Sequence, residues 1–140
     1  MKLAGRVGLV SGGNRGIGQA VALALAQAGA DVAIVYRKDE ASARETVAQV
    51  EKLGRRGLGL QADVTDYEQT KAAVARVVQA LGKVDILVHS AGIASRGNSV
   101  ADSDPNEWHR VINIHIFGAM HLTKEALPSM RQQKRGDIVY

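Results

Sequence analysis

In the stretch Ser11-Gly12-Gly13-Asn14-Arg15-Gly16-Ile17-Gly18, glycines stand in the spacing Gly12-x-x-x-Gly16-x-Gly18, and the chemistry such a stretch does well is to hold phosphate. A tight turn needs positions that tolerate positive φ and carry no side chain to keep a pyrophosphate off the backbone. Unpaired N–H groups at the start of a following helix, with the positive end of its dipole, then face the anion. Asn113 is a polar residue set among apolar neighbours in Val111-Ile112-Asn113-Ile114; if buried its amide needs a partner, and otherwise it faces solvent or a helix neighbour. The histidines His89, His109, His115 and His121 show no i, i+4 pairing, and the chain has no cysteine. Neither a metal site nor a thiol nucleophile is expected.

The elements around the loop decide whether it can work. Val7 to Val10 reads as a buried strand, and Ile17 to Ala28 as a helix closed by Gly29. The glycines therefore fall at a strand-to-helix join, and Gly18 and Ala22, one turn apart, would let the helix pack close to the sheet. Asp31 to Val35 is a second strand, followed by a helix from about Asp39 to Leu53 that buries Ala43, Val47 and Val50 and stops at Gly54. Gly57 to Ala62 is a third strand, glycine-rich for a central one. The next helix opens with Thr65-x-x-Glu68 as a capping box, buries Tyr67, Thr70, Val74, Val77 and Leu81, and ends at Gly82. Val84 to Val88 is the fourth strand.

A loop from Gly92 to about Ser103 leads to a strong helix start, with Asp104 as N-cap, Pro105 at the first position and Glu107 placed to reach back to the cap. From Val111 to Leu122 that helix is apolar on more than one stripe, so it should be covered on two sides. Gly136 to Tyr140 begins a fifth strand. Strands alternating with helices through short connections imply a parallel sheet.

Composition fits one soluble domain. The 140 residues are 46% hydrophobic and 23% charged, ordinary for a globular chain with a real core. No run is long enough to span a membrane, and Met1 to Arg6 lacks the apolar stretch of a signal peptide, so the expected location is the cytoplasm. A net charge of +4 with only 4% aromatic residues argues for a basic surface that attracts an anionic ligand, rather than for a nucleic-acid platform.

The loop, with Ser11 in place of the usual threonine, resembles the Thr-Gly-x-x-x-Gly-x-Gly cofactor loop of the short-chain dehydrogenase/reductase family, in particular its 3-oxoacyl-carrier-protein reductase-like members. Further matches lie in the right order along the chain. Asp63-Val64 resembles the family's Asp-Val or Asp-Leu pair, which implies contact with adenine; the residues alone also permit a helix-entry turn. Val88-His89-Ser90-Ala91-Gly92 stands where the family has Asn-Asn-Ala-Gly. Ala91 and Gly92 fit, while His89 and Ser90 depart from the strand-tying asparagines and offer fewer fixed polar positions.

The resemblance implies a Rossmann-type doubly wound α/β sheet in the order 3-2-1-4-5. It further implies a dinucleotide held by Ser11, Gly12, Asn14, Arg15, Gly16, Ile17, Gly18, Arg37, Asp63, Val64, Ala91 and Gly92, and a catalytic role for Asn113 in a proton relay. The activity implied is hydride transfer between a nicotinamide cofactor and a small carbonyl or alcohol substrate. Tyr36 stands where NAD-preferring relatives carry an acid, and Arg15 and Arg37 stand where NADP-preferring relatives carry bases, so NADP is expected, with NAD the alternative. The family's catalytic Ser and Tyr-x-x-x-Lys have no counterpart in residues 1 to 140, and Tyr140 is not that tyrosine. The expectation is a single dinucleotide-binding domain, truncated after the fifth strand and inactive alone; a non-catalytic or split nucleotide-binding domain is the alternative. The Val111 to Leu122 helix is expected to join copies into a homo-oligomer.

Overall fold

Short valine-rich runs, each followed by an amphipathic helix, can bury both faces of a sheet if the strands run parallel with helices on either side. The computed structural model describes residues 1–140 and has that arrangement. β1 (Val7–Ser11), α1 (Gly16–Gln27), β2 (Asp31–Tyr36), α2 (Glu40–Lys52), β3 (Gly57–Gln61), α3 (Tyr67–Leu81) and β4 (Ile86–His89) alternate strictly. After a 3-10 turn at Val100–Asp102 come α4 (Pro105–Ile112), a π-helical turn (Asn113–Phe117), α5 (Gly118–Gln133) and β5 (Asp137–Val139). All strands are parallel, in the order β3-β2-β1-β4-β5. No helix is long and apolar enough to cross a membrane.

Alternate side chains of each strand feed two apolar layers. On one face Val7, Leu9 and Leu87 pack with Val74 and Val77 of α3 and Leu122 of α5. On the other, Val10, Val32 and Ile34 pack with Ala22 and Ala26 of α1 and Val50 of α2. The glycines of β3 are explained by its edge position: a Cβ at Gly57 or Gly59 would lie 3.0 or 3.3 Å from Val47 of α2. At the base of the sheet, Asp85 Oδ2 accepts the Val7 N–H at 2.8 Å, and Arg6 reaches across to the Asp137 carboxylate at 2.5 Å. That network fixes β1, β4 and β5 at their starts.

Four local expectations need correction. The N-cap of α3 is Asp66, whose carboxylate accepts the Gln69 N–H at 3.0 Å; Thr65 instead donates its hydroxyl to Asp63 Oδ1 at 2.7 Å. A charged acceptor two residues away takes the threonine that would otherwise cap. Tyr67 is only half-buried, its hydroxyl held by Glu125 at 2.5 Å. Asp104 caps α4 with Pro105 after it, but Glu107 accepts the Arg96 N–H and so pins the preceding loop instead of its own cap. In α2 Ala43 and Val50 are buried as expected, but the third buried position is Thr46, with Val47 half-buried.

The long last helix is broken in register. At the π-turn the Gly118 N–H bonds to Asn113 O, one residue further back than α-helical geometry gives. Below it, Ile114, Gly118, Leu122, Ala126 and Met130 face the core, while Ile112, Ile116, Phe117 and Met120 are 47–59% exposed. The second apolar stripe is bare on this chain. Leu122 is fully buried between α5 and the sheet, so Leu122→Ala is expected to cost about 2–5 kcal/mol. Val100→Ala, at a side chain 79% exposed, should stay within about 0.5 kcal/mol. Urea unfolding of the two variants checks the contrast.

Candidate functional site

β1, β2 and β4 end on the same side of the sheet, at Ser11, Tyr36 and His89, and the order of connection reverses between β1 and β4. A crevice opens at such a switch point because the two following chain segments part in opposite directions. Here it is a cleft of about 520 Å³, within the range of ligand sites. Gly12, Asn14, Arg15, Gly16, Ile17, Gly18, Arg37, Asp63, Val64, Ala91 and Gly92 all line it. Ser11 stands behind the wall, fully buried. Asn113 is exposed and lies outside the lining; the next residue, Ile114, is part of it.

The loop's shape is dictated by its glycines. Gly12 and Gly16 have φ of +65° and +55°, where a side chain would be strained. Gly12 also lies against the end of β4, since a Cβ there would be 3.0 Å from the Ala91 backbone. At Gly18 a Cβ would meet Gly12 O at 2.2 Å. Gly18 thus lets α1 close onto the loop itself, where close packing on the sheet had been expected; the sheet contact belongs to Ala22 and to Gly8, which faces Leu25. Gly13, passed over in the motif, is needed as well, because its Cβ would lie 2.5 Å from Ile34 Cγ2.

The electrostatics favour an anion. α2, α3 and α4 are each N-capped by an aspartate, Asp39, Asp66 and Asp104. α1 begins after Arg15 with no side-chain cap and no acid in its first turn. Its first residues, Gly16, Ile17 and Gly18, line the cleft, and no capping side chain accepts from their N–H groups. Arg15, Arg37 and Lys38 stand round the same opening. Asp39 is there too, but its carboxylate is occupied by Ser42: the hydroxyl at 2.6 Å and the backbone N–H at 3.0 Å hold it below the usual carboxylate range, helped by Arg15. Asp63 spends Oδ1 on the Thr65 N–H and hydroxyl, so it makes the helix-entry turn while also lining the cleft.

Beneath the cleft, His89 has only two polar positions, and both are engaged. His89 Nδ1 lies 2.9 Å from Ser11 Oγ, and Nε2 lies 3.1 Å from Ile114 O. The Ser90 and Ala91 N–H groups both donate to Ser11 Oγ at 3.1 Å. Burial pushes the imidazole below its usual range; the contact with Ile114 O opposes this and His115 adds to it. His115 packs over Gly92, where a Cβ would be 2.4 Å from the ring, and its Nε2 lies 2.9 Å from Ile93 O. Sequence reasoning assigned no role to these two histidines, because a ring's partners depend on which strands become neighbours.

Comparison with known proteins fits this geometry. A family model described as short chain dehydrogenase matches residues 6–140. The 3-oxoacyl-[acyl-carrier-protein] reductase FabG of Staphylococcus aureus is 35% identical over 94% of this chain and 53% of its own length. A short chain dehydrogenase from Burkholderia cenocepacia, solved in complex with NADP, is 40% identical with a TM-score of 0.87, over 92% of this chain and 52% of that one. Carveol dehydrogenase from Mycobacterium avium, solved with NAD, is 33% identical with a TM-score of 0.92, over 98% and 54%. The chain spans about half the length of these relatives. A Rossmann-type sheet, a phosphate-shaped glycine loop at its switch point and a family match over nearly all residues agree: the chain belongs to the short-chain dehydrogenase family.

Proposed function

We propose that residues 1–140 are the dinucleotide-binding part of an oxidoreductase that prefers NADP(H) and acts on a small carbonyl or alcohol substrate. The bare N-terminus of α1, set in a cleft flanked by arginines, is the observation that carries this reading. A bound nicotinamide dinucleotide would supply or accept the hydride. The chain's own residues do the holding. Gly16, Ile17 and Gly18 present backbone N–H groups to the pyrophosphate, and Gly12 leaves room for it beside Ala91. Asp63 and Val64 form the adenine end, and Ala91 and Gly92 the path toward the nicotinamide. Asn113, one residue beyond the cleft wall, is assigned to the proton relay. Nothing in residues 1–140 stands in for the serine, tyrosine and lysine that relatives use for proton transfer, so this stretch alone is assigned binding without turnover.

The preference for NADP(H) follows from what surrounds the ribose position at the end of β2. Tyr36 is uncharged and nearly buried, so nothing there repels a 2′-phosphate. The guanidinium groups of Arg15 and Arg37 are exposed at the opening, and the nearby carboxylate of Asp39 is engaged with Ser42. The bare stripe of Ile112, Ile116, Phe117 and Met120 supports self-association through the Val111 to Leu122 helix.

Three outcomes are expected. Calorimetric titration should give tighter binding of NADPH than of NADH; a charged hydrogen bond contributes roughly 1.5–3 kcal/mol, so Arg37→Ala should shrink the gap about tenfold, and Arg15→Ala should shrink it again. Equal affinities in the unmodified chain would contradict the preference. Gly18→Ala, which sets a methyl against Gly12 O, should abolish binding of either cofactor while circular dichroism shows the sheet and helices intact. Sedimentation at high concentration should show dimers or larger species; a monodisperse monomer would contradict the self-association.

A further inference from the structure

His89 is a buried titratable group to which the proposed function assigns no role, and its surroundings fix more than its position. Ser11 Oγ has two lone pairs and one hydrogen. Both lone pairs face donors, the Ala91 N–H and the Ser90 N–H, the latter shared with the Ser11 backbone carbonyl at 3.2 Å. The hydroxyl hydrogen is therefore left for His89 Nδ1, 2.9 Å away. Nδ1 must then be the acceptor and the ring's proton must sit on Nε2, where it is donated to Ile114 O at 3.1 Å. In the same turn the Gly118 N–H goes to Asn113 O and not to Ile114 O. One ring thus joins three things: the last residue of β1 at the root of the phosphate loop, the end of β4, and the turn that displays Asn113.

We propose that His89 is a positioning residue which, as the neutral ring protonated on Nε2, clasps the phosphate loop to the π-turn carrying Asn113, and that a second proton opens the clasp. A proton on Nδ1 would point at a hydroxyl oxygen whose lone pairs are already used. Either the Ser90 or the Ala91 N–H gives up the hydroxyl, Ser90 then bonding only the Ser11 carbonyl, or the ring turns away from it. The first choice moves the backbone that packs on Gly12, and the second releases the π-turn. The groups facing the ring are the Ser11 hydroxyl from β1, the Ile114 carbonyl and Gly118 from the last helix, and His115, the ionisable neighbour that acts on it. None is an acid, so no carboxylate is there to hold an imidazolium in place. Burial makes the second proton harder to add than in water, and the clasp should therefore stay closed at neutral pH and open on acidification.

The link to the cleft rests on the dinucleotide reading, whereas the placement of the ring's proton does not, so the two can fail separately. Long-range proton–nitrogen NMR on the 140-residue chain, with the His89 signals identified by their loss in His89→Gln, should show a neutral ring protonated on Nε2 at pH 7. Its midpoint should lie below the ordinary imidazole value of about 6.5. A ring protonated on Nδ1, or one averaging between tautomers, overturns the clasp. Glutamine carries one donor and one acceptor at similar reach and cannot titrate. NADP affinity of the unmodified chain and of His89→Gln should agree within about threefold at neutral pH, as expected for partners that are both satisfied. As His89 titrates, the unmodified chain should lose about tenfold more affinity than the variant. The 2′-phosphate and every group other than residue 89 are common to both, so the difference reads His89. Parallel profiles overturn the coupling to the cleft. No binding by the unmodified chain at neutral pH would sink the dinucleotide reading, with the NMR result still deciding the clasp.

Discussion

The hydroxyl of Ser11 is the point on which the site depends. Parallel strands β1 and β4 are neighbours in the sheet but far apart in sequence, so no direct connection sets how their ends diverge, and their registers meet at Ser11 and His89. The single oxygen of Ser11 collects the Ser90 and Ala91 N–H groups and faces His89 Nδ1. With those ends fixed, Gly12 can lie against Ala91 and the loop can turn into α1 at the spacing its glycines allow. A buried hydroxyl with every bonding position used is costly to disturb, since the Ala91 N–H or the His89 ring, once released, would lose its partner, although the Ser90 N–H keeps the Ser11 carbonyl. The family's threonine offers the same hydroxyl, and serine keeps it.

The cleft is anion-seeking because of one omission. Three helices of this chain open on capping aspartates, and α1 does not. A helix that leaves its N-terminal N–H groups to a ligand gives up the stability a cap provides, about 0.5–2 kcal/mol. The same bare end, opening among Arg15, Arg37 and Lys38, gives the pocket its positive character. Asp39 illustrates how a nearby acid is kept from spoiling this: its oxygens are bound to Ser42, so the charge faces the start of α2.

Much of this was legible in the residues before any coordinates. The alternation of apolar runs and amphipathic segments placed every strand and helix, since burial on both faces leaves few other arrangements, and the order of the sheet came with the resemblance. The glycine loop was legible because steric demand at Gly12, Gly16 and Gly18 is local to the loop. Features set by contacts distant in sequence were not. The shift of the α3 cap from Thr65 to Asp66 turns on a competing carboxylate at Asp63. Glu107 leaves its own cap for the Arg96 N–H, eleven residues back. The π-turn at Asn113 has no sequence signature, and its carbonyl at Ile114 finds His89 only once β4 lies beneath the helix. His89 read as a departure from an asparagine pair, and only the fold revealed that its ring spans two partners at once.

The most direct test of the account is the amide proton–nitrogen spectrum of the 140-residue chain, recorded with and without NADP. The account predicts that the largest shifts fall on the backbone N–H groups of Gly16, Ile17 and Gly18, with further shifts at Arg37, Asp63, Val64, Ala91 and Gly92, and with the phosphorus signal of the 2′-phosphate moving as well. Shifts confined to the bare face of the last helix, between Met120 and Arg131, or a spectrum unchanged by cofactor, would contradict it.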